Sequence, residues 1–282
     1  MAAQPALTPA TRPSVCLVAK PNMCPMRATD YAGRAVIVTG GTRGIGAGIA
    51  RAFLRAGAEV VVCGRTEPSA GAPLPAADGR AVRFTRADIR DLDQVRKLIG
   101  EALERYGRLD VVVSNAGGSP SAAAATASPR FHAKVIELNL IAPLHVAQSA
   151  NAVMQRQPDG GSIIMIGSVS GVRPSPGTAA YGAAKAGLHH LTASLAVEWA
   201  PKVRVNTVVP GPVATESASA AHYADAGGAE AVAGTVPLGR LATPGDVADA
   251  CLFLASPQAS YVSGAALLLH GGGEWPAWQS AT

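Results

Sequence analysis

The chain has 282 residues and a mass of 28.4 kDa, with 48% hydrophobic residues, so it can bury the core of one large α/β domain or of two smaller ones. Aromatic residues make up 4% and charged residues 15%, so small aliphatics carry the apolar content, and neither a disordered nor a collagen-like chain fits. The net charge of +5 comes from scattered basic residues rather than runs, which argues against a dedicated nucleic-acid binder.

Residues 1–27 hold Pro5, Pro9, Pro13, Pro21 and Pro25 around one apolar patch at 15–19 that is too short for a signal-peptide core. We expect a disordered extension there, with Met26 as an alternative start, ahead of a single domain over 28–282. From Arg34 onward, short β-branched runs alternate with longer Ala-rich stretches, the pattern of βαβ units stacked into a parallel sheet covered on both faces. Strands are expected at 35–39, 59–63, 81–85, 110–114, 161–167, 203–208 and 265–269, which makes one doubly wound, Rossmann-type α/β sheet of seven parallel strands. Helices are expected at 44–56, 92–106, 130–156, 178–200 and 244–254, with Asp91 and Thr243 as N-caps. Pro143 should kink the third helix, because it lacks a backbone donor. Residues 66–79 and 213–237 show no firm period, and the second stretch reads as a lid.

Cys16, Cys24, Cys63 and Cys251 form no C-x-x-C pair, which suggests a reducing, cytoplasmic setting. No apolar run approaches the ~18 residues of a membrane span. The six histidines form no cluster with metal-ligand spacing, so no metal is expected, and the neighbours His189 and His190 should point to different helix faces.

Between the first strand and the first helix lies Thr39-Gly40-Gly41-Thr42-Arg43-Gly44-Ile45-Gly46. A glycine turn that opens a helix directs backbone N–H groups and the positive end of the helix dipole at one point, where a pyrophosphate can sit. Gly40 makes the turn, while Gly44 and Gly46 remove side chains that would block the ligand or the helix–strand contact. The spacing is G-x-x-x-G-x-G rather than G-x-G-x-x-G. About 20 residues further on, an NAD enzyme would place an acid on the ribose 2′-hydroxyl, but Cys63-Gly64-Arg65 stands there. Arg65 and Arg43 could instead clamp a 2′-phosphate, which predicts NADP(H) over NAD(H).

Ser168 closes the fifth strand, and Tyr181 and Lys185 follow at i and i+4 on one helix face. An ammonium beside a phenol should lower the phenol's pKa toward the working range of a general acid/base, and the serine hydroxyl can hold a substrate oxygen.

With these residues the chain resembles the short-chain dehydrogenase/reductases, in particular 3-oxoacyl-thioester reductase-like members. The match runs from Tyr31 to about Gly273. It comprises the glycine turn, Asp88, Asn115-Ala116-Gly117, Asn139, Ser168, Tyr181 with Lys185, and Pro210-Gly211 followed by Thr215, all in the family's order and spacing. The resemblance implies a catalytic set of Asn139, Ser168, Tyr181 and Lys185. It also implies a cofactor surface of Gly40, Thr42, Arg43, Gly44, Ile45, Gly46, Arg65, Asp88, Asn115, Ala116, Gly117, Tyr181, Lys185, Pro210, Gly211 and Thr215. In that reading Asp88 meets the adenine amino group, Asn115 supports the cleft, Thr215 holds the nicotinamide carboxamide, and Asn139 anchors a water that relays protons from Lys185. The family's usual Asn-Asn-Ala-Gly reads Ser114-Asn115-Ala116-Gly117 here, and the smaller hydroxyl should keep the hydrogen-bonding capacity.

The resemblance further implies a soluble homo-oligomer, dimer or tetramer, packed through helices 130–156 and 178–200, that interconverts a ketone and a secondary alcohol. The alternative is an NADP(H)-binding sensor without chemistry, although such sensors often lose the Tyr or Lys retained here. An Ala-rich 213–237 segment with Tyr223 as its one aromatic suggests an apolar or mixed substrate, and Trp275 and Trp278 could lie over the cleft or against a neighbouring subunit.

Overall fold

A computed structural model describes residues 30–68, 73–215, 223 and 227–274. The expected N-terminal extension, Cys16, Cys24, most of the expected lid, Trp275 and Trp278 lie outside the described residues. Seven strands form one parallel sheet: β1 (Ala35–Thr39), β2 (Glu59–Gly64), β3 (Arg83–Arg86), β4 (Val111–Ser114), β5 (Gly161–Ile166), β6 (Val203–Pro210) and β7 (Ala266–Leu269). Their order is β3-β2-β1-β4-β5-β6-β7, so the winding reverses between β1 and β4. In such sheets, ligands bind outside the carboxyl ends of the strands at that reversal.

The helices are α1 (Gly44–Arg55), α2 (Leu92–Tyr106), α3 (Pro129–Ile136), α4 (Ala142–Met154), α5 (Ala179–Glu198), α6 (Ala229–Gly234) and α7 (Pro244–Ala255). Successive strand residues point to opposite faces. Ile37, Val112, Ile163 and Val205 therefore join the core under α2, α4 and α5. Val36, Val38, Val111, Val113 and Ile164 join a second core under α1 and α7. Burial on both sides explains why the strands read as unbroken apolar runs.

Both expected N-caps form. The Asp91 carboxylate accepts from the Asp93 and Gln94 N–H groups at 3.0 and 3.3 Å, and Thr243 exchanges hydrogen bonds with Asp246 in a capping box.

The third strand starts later than expected, at Arg83. Arg80–Ala81 pairs instead with Ala76–Ala77 in a small antiparallel hairpin. Asp78 and Gly79 form its tip with φ of 51° and 75°, the left-handed pair that a tight hairpin turn requires. The single helix expected over 130–156 is α3, a π turn at Glu137–Ile141, and α4. Pro143 has no N–H to extend an α-helical ladder, and just upstream of it the chain is widened, the Ala142 N–H bonding Glu137 O, five residues back. Among the described residues, no helix is long and apolar enough to cross a membrane.

Candidate active site

The glycine turn after β1 and the loop after β4 meet at the winding reversal, fastened by a side chain that the sequence reading passed over. Thr39 is fully buried, and its Oγ1 accepts hydrogen bonds from the backbone N–H groups of Asn115 and Ala116, both at 3.0 Å. The Asn115 amide returns the contact, donating to Thr39 O at 2.9 Å and Gly40 O at 3.2 Å. Asn115 and Ala116 thus brace the turn from the neighbouring strand.

Gly40 and Gly44 have φ of 63° and 53°, in the left-handed region where a side chain is strained. A Cβ on Gly46 would fall 2.3 Å from Gly40 O and 2.5 Å from Asn115 Nδ2. Arg43, at the N-cap of α1, makes no side-chain cap, and the first turn of α1 carries no acid. The start of α1 therefore presents N–H groups and positive potential beside a turn closed to a Cβ at Gly41 and Gly46, an arrangement that fits a pyrophosphate. Thr42 is half-buried, and Ile45 packs on the second core. Across the turn, Thr215 Cγ2 lies 3.7 Å from where a Gly44 Cβ would stand, which brings the segment after β6 to the same place. Pro210 ends β6, and the Gly211 N–H bonds Leu269 O at 2.8 Å.

At the outer end of this groove, Arg65 follows β2 and is exposed, as is Arg43. Parallel pairing sets Arg86 of β3 beside Gly64, and its Nε donates to Arg65 O at 3.1 Å. This third arginine lies 21 residues from Arg65, and only strand register brings it there. Asp88 is gripped by Arg90, with contacts of 3.0 and 3.2 Å from Nε and 2.5 Å from Nη2, and the Arg90 hydrogen bond holds its carboxyl below the usual carboxylate range.

At the other end, Ser168, Tyr181 and Lys185 come together. Ser168 leads the turn after β5, where its Oγ accepts from Ser170 N at 3.1 Å, and it stands close enough to the Tyr181 hydroxyl to lower its pKa. Lys185 is buried, with Nζ donating to Ile166 O at 2.8 Å and lying 5.6 Å from the centre of the Tyr181 ring. The expected lowering of the Tyr181 pKa by Lys185 is not what this arrangement produces. Burial pushes the phenol up, Ser168 opposes it, and Lys185 itself is pushed down to about 8 by burial. One of the three Lys185 N–H groups is held by Ile166 O, and burial is the largest influence on the phenol.

Asn139 sits fully buried in the π turn, its amide bonded to Gly118 N and O and to Val135 O. Gly117 is the spacer between it and Lys185: a Cβ there would meet Asn139 Oδ1 at 2.8 Å and Lys185 Nζ at 3.7 Å. The Asn139 side chain is thus committed to backbone groups. Ser114 also departs from expectation: its Oγ is buried and meets no hydrogen-bond partner. Beyond the Ser168 turn, Arg173 pairs with Glu274 at 2.8 Å, so the loop after β5 and the segment after β7 join over the exit of β6.

The family model for enoyl-(acyl carrier protein) reductase matches residues 40–274. The chain belongs to the short-chain dehydrogenase/reductase family. It is 38% identical to L-rhamnose 1-dehydrogenase (NAD(P)(+)) of Azotobacter vinelandii over 85% of this chain and 96% of that protein. It is also 38% identical to the 3-oxoacyl-[acyl-carrier-protein] reductase FabG of Chlamydia muridarum, again over 85% and 96%. Among solved structures, the ligand-free aldohexose dehydrogenase of Thermoplasma acidophilum superposes with a TM-score of 0.78 at 29% identity, over 86% of this chain and 94% of that one. The seven-stranded Rossmann-type sheet is therefore that of a short-chain dehydrogenase/reductase.

Proposed function

We propose that this protein is an NADP(H)-dependent oxidoreductase that interconverts a small ketone and a secondary alcohol. The observation that carries the reading is the joint placement of Ser168, Tyr181 and Lys185 one loop away from a glycine turn closed to a Cβ at Gly41 and Gly46.

Gly40, Thr42, Arg43, Gly44, Ile45 and Gly46 would hold the pyrophosphate, Asn115, Ala116 and Gly117 would floor the cleft, and Asp88 would meet the adenine. Pro210, Gly211 and Thr215 would border the nicotinamide, with Lys185 and Tyr181 against the adjoining ribose. Arg65 and Arg43, joined by Arg86, favour the 2′-phosphate form because guanidinium forks match phosphate oxygens. When bound, the cofactor supplies or accepts the hydride. The chain's own residues manage the oxygen and its proton. Ser168 Oγ and the Tyr181 hydroxyl hold the carbonyl oxygen from two sides, and the raised Tyr181 pKa keeps the phenol protonated at neutral pH, ready to donate as negative charge develops. Lys185 and Asn139 stand behind Tyr181 as the route by which that proton is replaced. The reaction is cytoplasmic in our reading, and the protein works as a homo-oligomer on a small substrate.

The test is oxidation of NADPH and of NADH across a panel of ketones, 3-oxoacyl thioesters and sugar lactones, with Tyr181→Phe alongside. We expect turnover with NADPH that falls at least about a thousandfold in the variant, the upper part of what a positioned acid contributes, with NADPH Kd changed less than about threefold. Turnover retained in Tyr181→Phe would refute the assignment.

A further inference from the structure

His189 lies one helical turn beyond Lys185 and two beyond Tyr181, on the same stripe of α5. Its neighbour His190 is exposed, but the His189 ring turns inward, and Nε2 is buried without a hydrogen-bond partner. The ring is wedged between two glycines. A Cβ on Gly167 would stand 2.4 Å from His189 Nε2, and one on Gly171 would stand 2.8 Å from Cε1. These two glycines bracket the turn Ser168-Val169-Ser170 that presents the serine hydroxyl. The Lys185 ammonium bonds the carbonyl of Ile166, the residue before Gly167. One short stretch of backbone is therefore held by Lys185 on one side and backed by His189 on the other, with Ser168 as its next residue.

We propose that His189 is a positioning residue: as a neutral imidazole it backs the Gly167–Gly171 turn and sets Ser168 and Lys185 in register, and on protonation it releases them.

Little else can answer its charge. Gly167, Ser168 and Gly171 contribute no titratable group. From β6, the Thr207 methyl comes to the same point beside Gly167, its hydroxyl being paired with Thr192. The charge that acts on it is Lys185, from its own helix. Burial and then Lys185 both hold the imidazole below its ordinary pKa, so it is neutral at neutral pH. A proton arriving at lower pH would put a second cation one turn from the Lys185 ammonium, with no carboxylate among the described residues acting on it. In the reductive direction the protonated Tyr181 is the competent form, so a fall in kcat/KM on the acid side has no origin in Tyr181.

The inference rests on the proposed roles of Ser168, Tyr181 and Lys185, and its test separates the two. In the full-length protein labelled at histidine nitrogen, the His189 signals are identified by their loss in His189→Gln and followed by NMR. We expect titration below about 6.5, moved upward in Lys185→Met. Titration at or above that value would overturn the proposal whatever the chemistry of the site. With NADPH and a ketone that the wild type reduces, kcat/KM should fall about fivefold or more between about pH 8 and pH 5.5. His189→Ala, which empties the wedge, should lower kcat about tenfold at the upper pH and leave little further acid-side fall, with the NADPH KM unchanged. His189→Gln, which refills the space without a titrating group, should restore most of kcat at the upper pH and abolish the acid-side fall. An acid-side fall that persists in a folded His189→Gln protein, judged by its melting curve, would overturn the proposal. Turnover retained in Tyr181→Phe would instead overturn the underlying reading.

Discussion

Gly46 offers the sharpest test of the glycine turn, because elementary propensity and the structure predict opposite signs. In the first turn of α1, replacing glycine by alanine removes backbone freedom from the unfolded chain and should stabilise a helix by about 0.8–1 kcal/mol. The structure leaves no space for the methyl, which would lie 2.3 Å from Gly40 O and 2.5 Å from Asn115 Nδ2. Those two atoms are themselves hydrogen-bonded at 3.2 Å, and the same amide bonds Thr39 O at 2.9 Å. Making room means moving backbone by nearly an ångström and weakening two hydrogen bonds of about 1 kcal/mol each, on top of an overpacking penalty of about 1–3 kcal/mol. After the propensity gain, Gly46→Ala should lose about 2 kcal/mol, a drop in Tm of about 4–8 °C for a chain of this size. Gly100→Ala serves as control: in α2 its methyl would meet nothing within 4 Å, so it should raise Tm slightly. NADPH titration by fluorescence should show Kd weakened about tenfold or more in Gly46→Ala and unchanged in Gly100→Ala. If Gly46→Ala melted at or above the wild type and bound NADPH equally well, the close-approach reasoning would be wrong.

Replacing Arg65 by Ala should weaken NADPH about tenfold or more and leave NADH within about twofold, as loss of one charge-assisted contact requires; equal losses for both cofactors would remove the 2′-phosphate reading. Lys185 should show a conflict between stability and chemistry. Burial pushes its amine down to about 8, whereas in the unfolded chain it titrates near 10.4, so between those values the unfolded state holds a proton that the native state lacks and stability rises with pH. Lys185→Met should therefore melt higher than wild type at neutral pH, by on the order of 2 kcal/mol, with the gap closing toward about pH 10 and turnover abolished; a lower Tm at neutral pH would contradict this. Asp110 has the opposite sign. Burial alone would raise its carboxyl, but Arg108, the Ala35 N–H and Arg34 hold it below the usual range, so its contribution is present above about pH 4 and is lost as pH falls through its lowered native value. Asp110→Asn should cost about 2 kcal/mol by urea unfolding at neutral pH and progressively less in acid; a gap independent of pH would contradict the ion-pair account.

Much of this was legible in the sequence because it is local. A β-branched run, a glycine turn, a helix and a Tyr-x-x-x-Lys stripe are neighbours in the chain, and Asp91 and Thr243 cap their helices from one residue away. The misreadings share a different origin. Pro143 marks a break in the third helix, but the break takes the form of a π turn just upstream, at Glu137–Ile141, that carries Asn139. Asp78-Gly79 was passed over as irregular, though the pair is a hairpin signal and draws Arg80–Ala81 out of the expected strand. Thr39, Arg86 and His189 act through partners 21 or more residues away, or through the absence of side chains at Gly167 and Gly171, which no linear pattern displays. The sign at Tyr181 was misjudged because charge proximity was weighed without burial, and here burial is the larger effect.

The two ends of the sheet divide the work of the fold. At the amino ends of the strands, polar groups are closely satisfied. Asp110 takes Arg34 at 2.7 Å and Arg108 at 2.6 Å, with Asp159 completing the cluster. Gln157 bonds Leu109 at both its N–H and carbonyl, and Lys202 donates to Gln155 and Gln157 carbonyls. At the carboxyl ends, local rules are broken repeatedly. The start of α1 has no side-chain cap, Ser114 Oγ and His189 Nε2 lack partners, a helix is widened at Asn139, and an amine is buried at Lys185. A chain selected for stability alone would have filled these positions with apolar side chains and a capping residue. Their concentration around the carboxyl ends of β1, β4 and β5, opposite a well-bonded edge, is what an oxidoreductase needs: groups set in place ahead of a ligand, on a frame held from the other side.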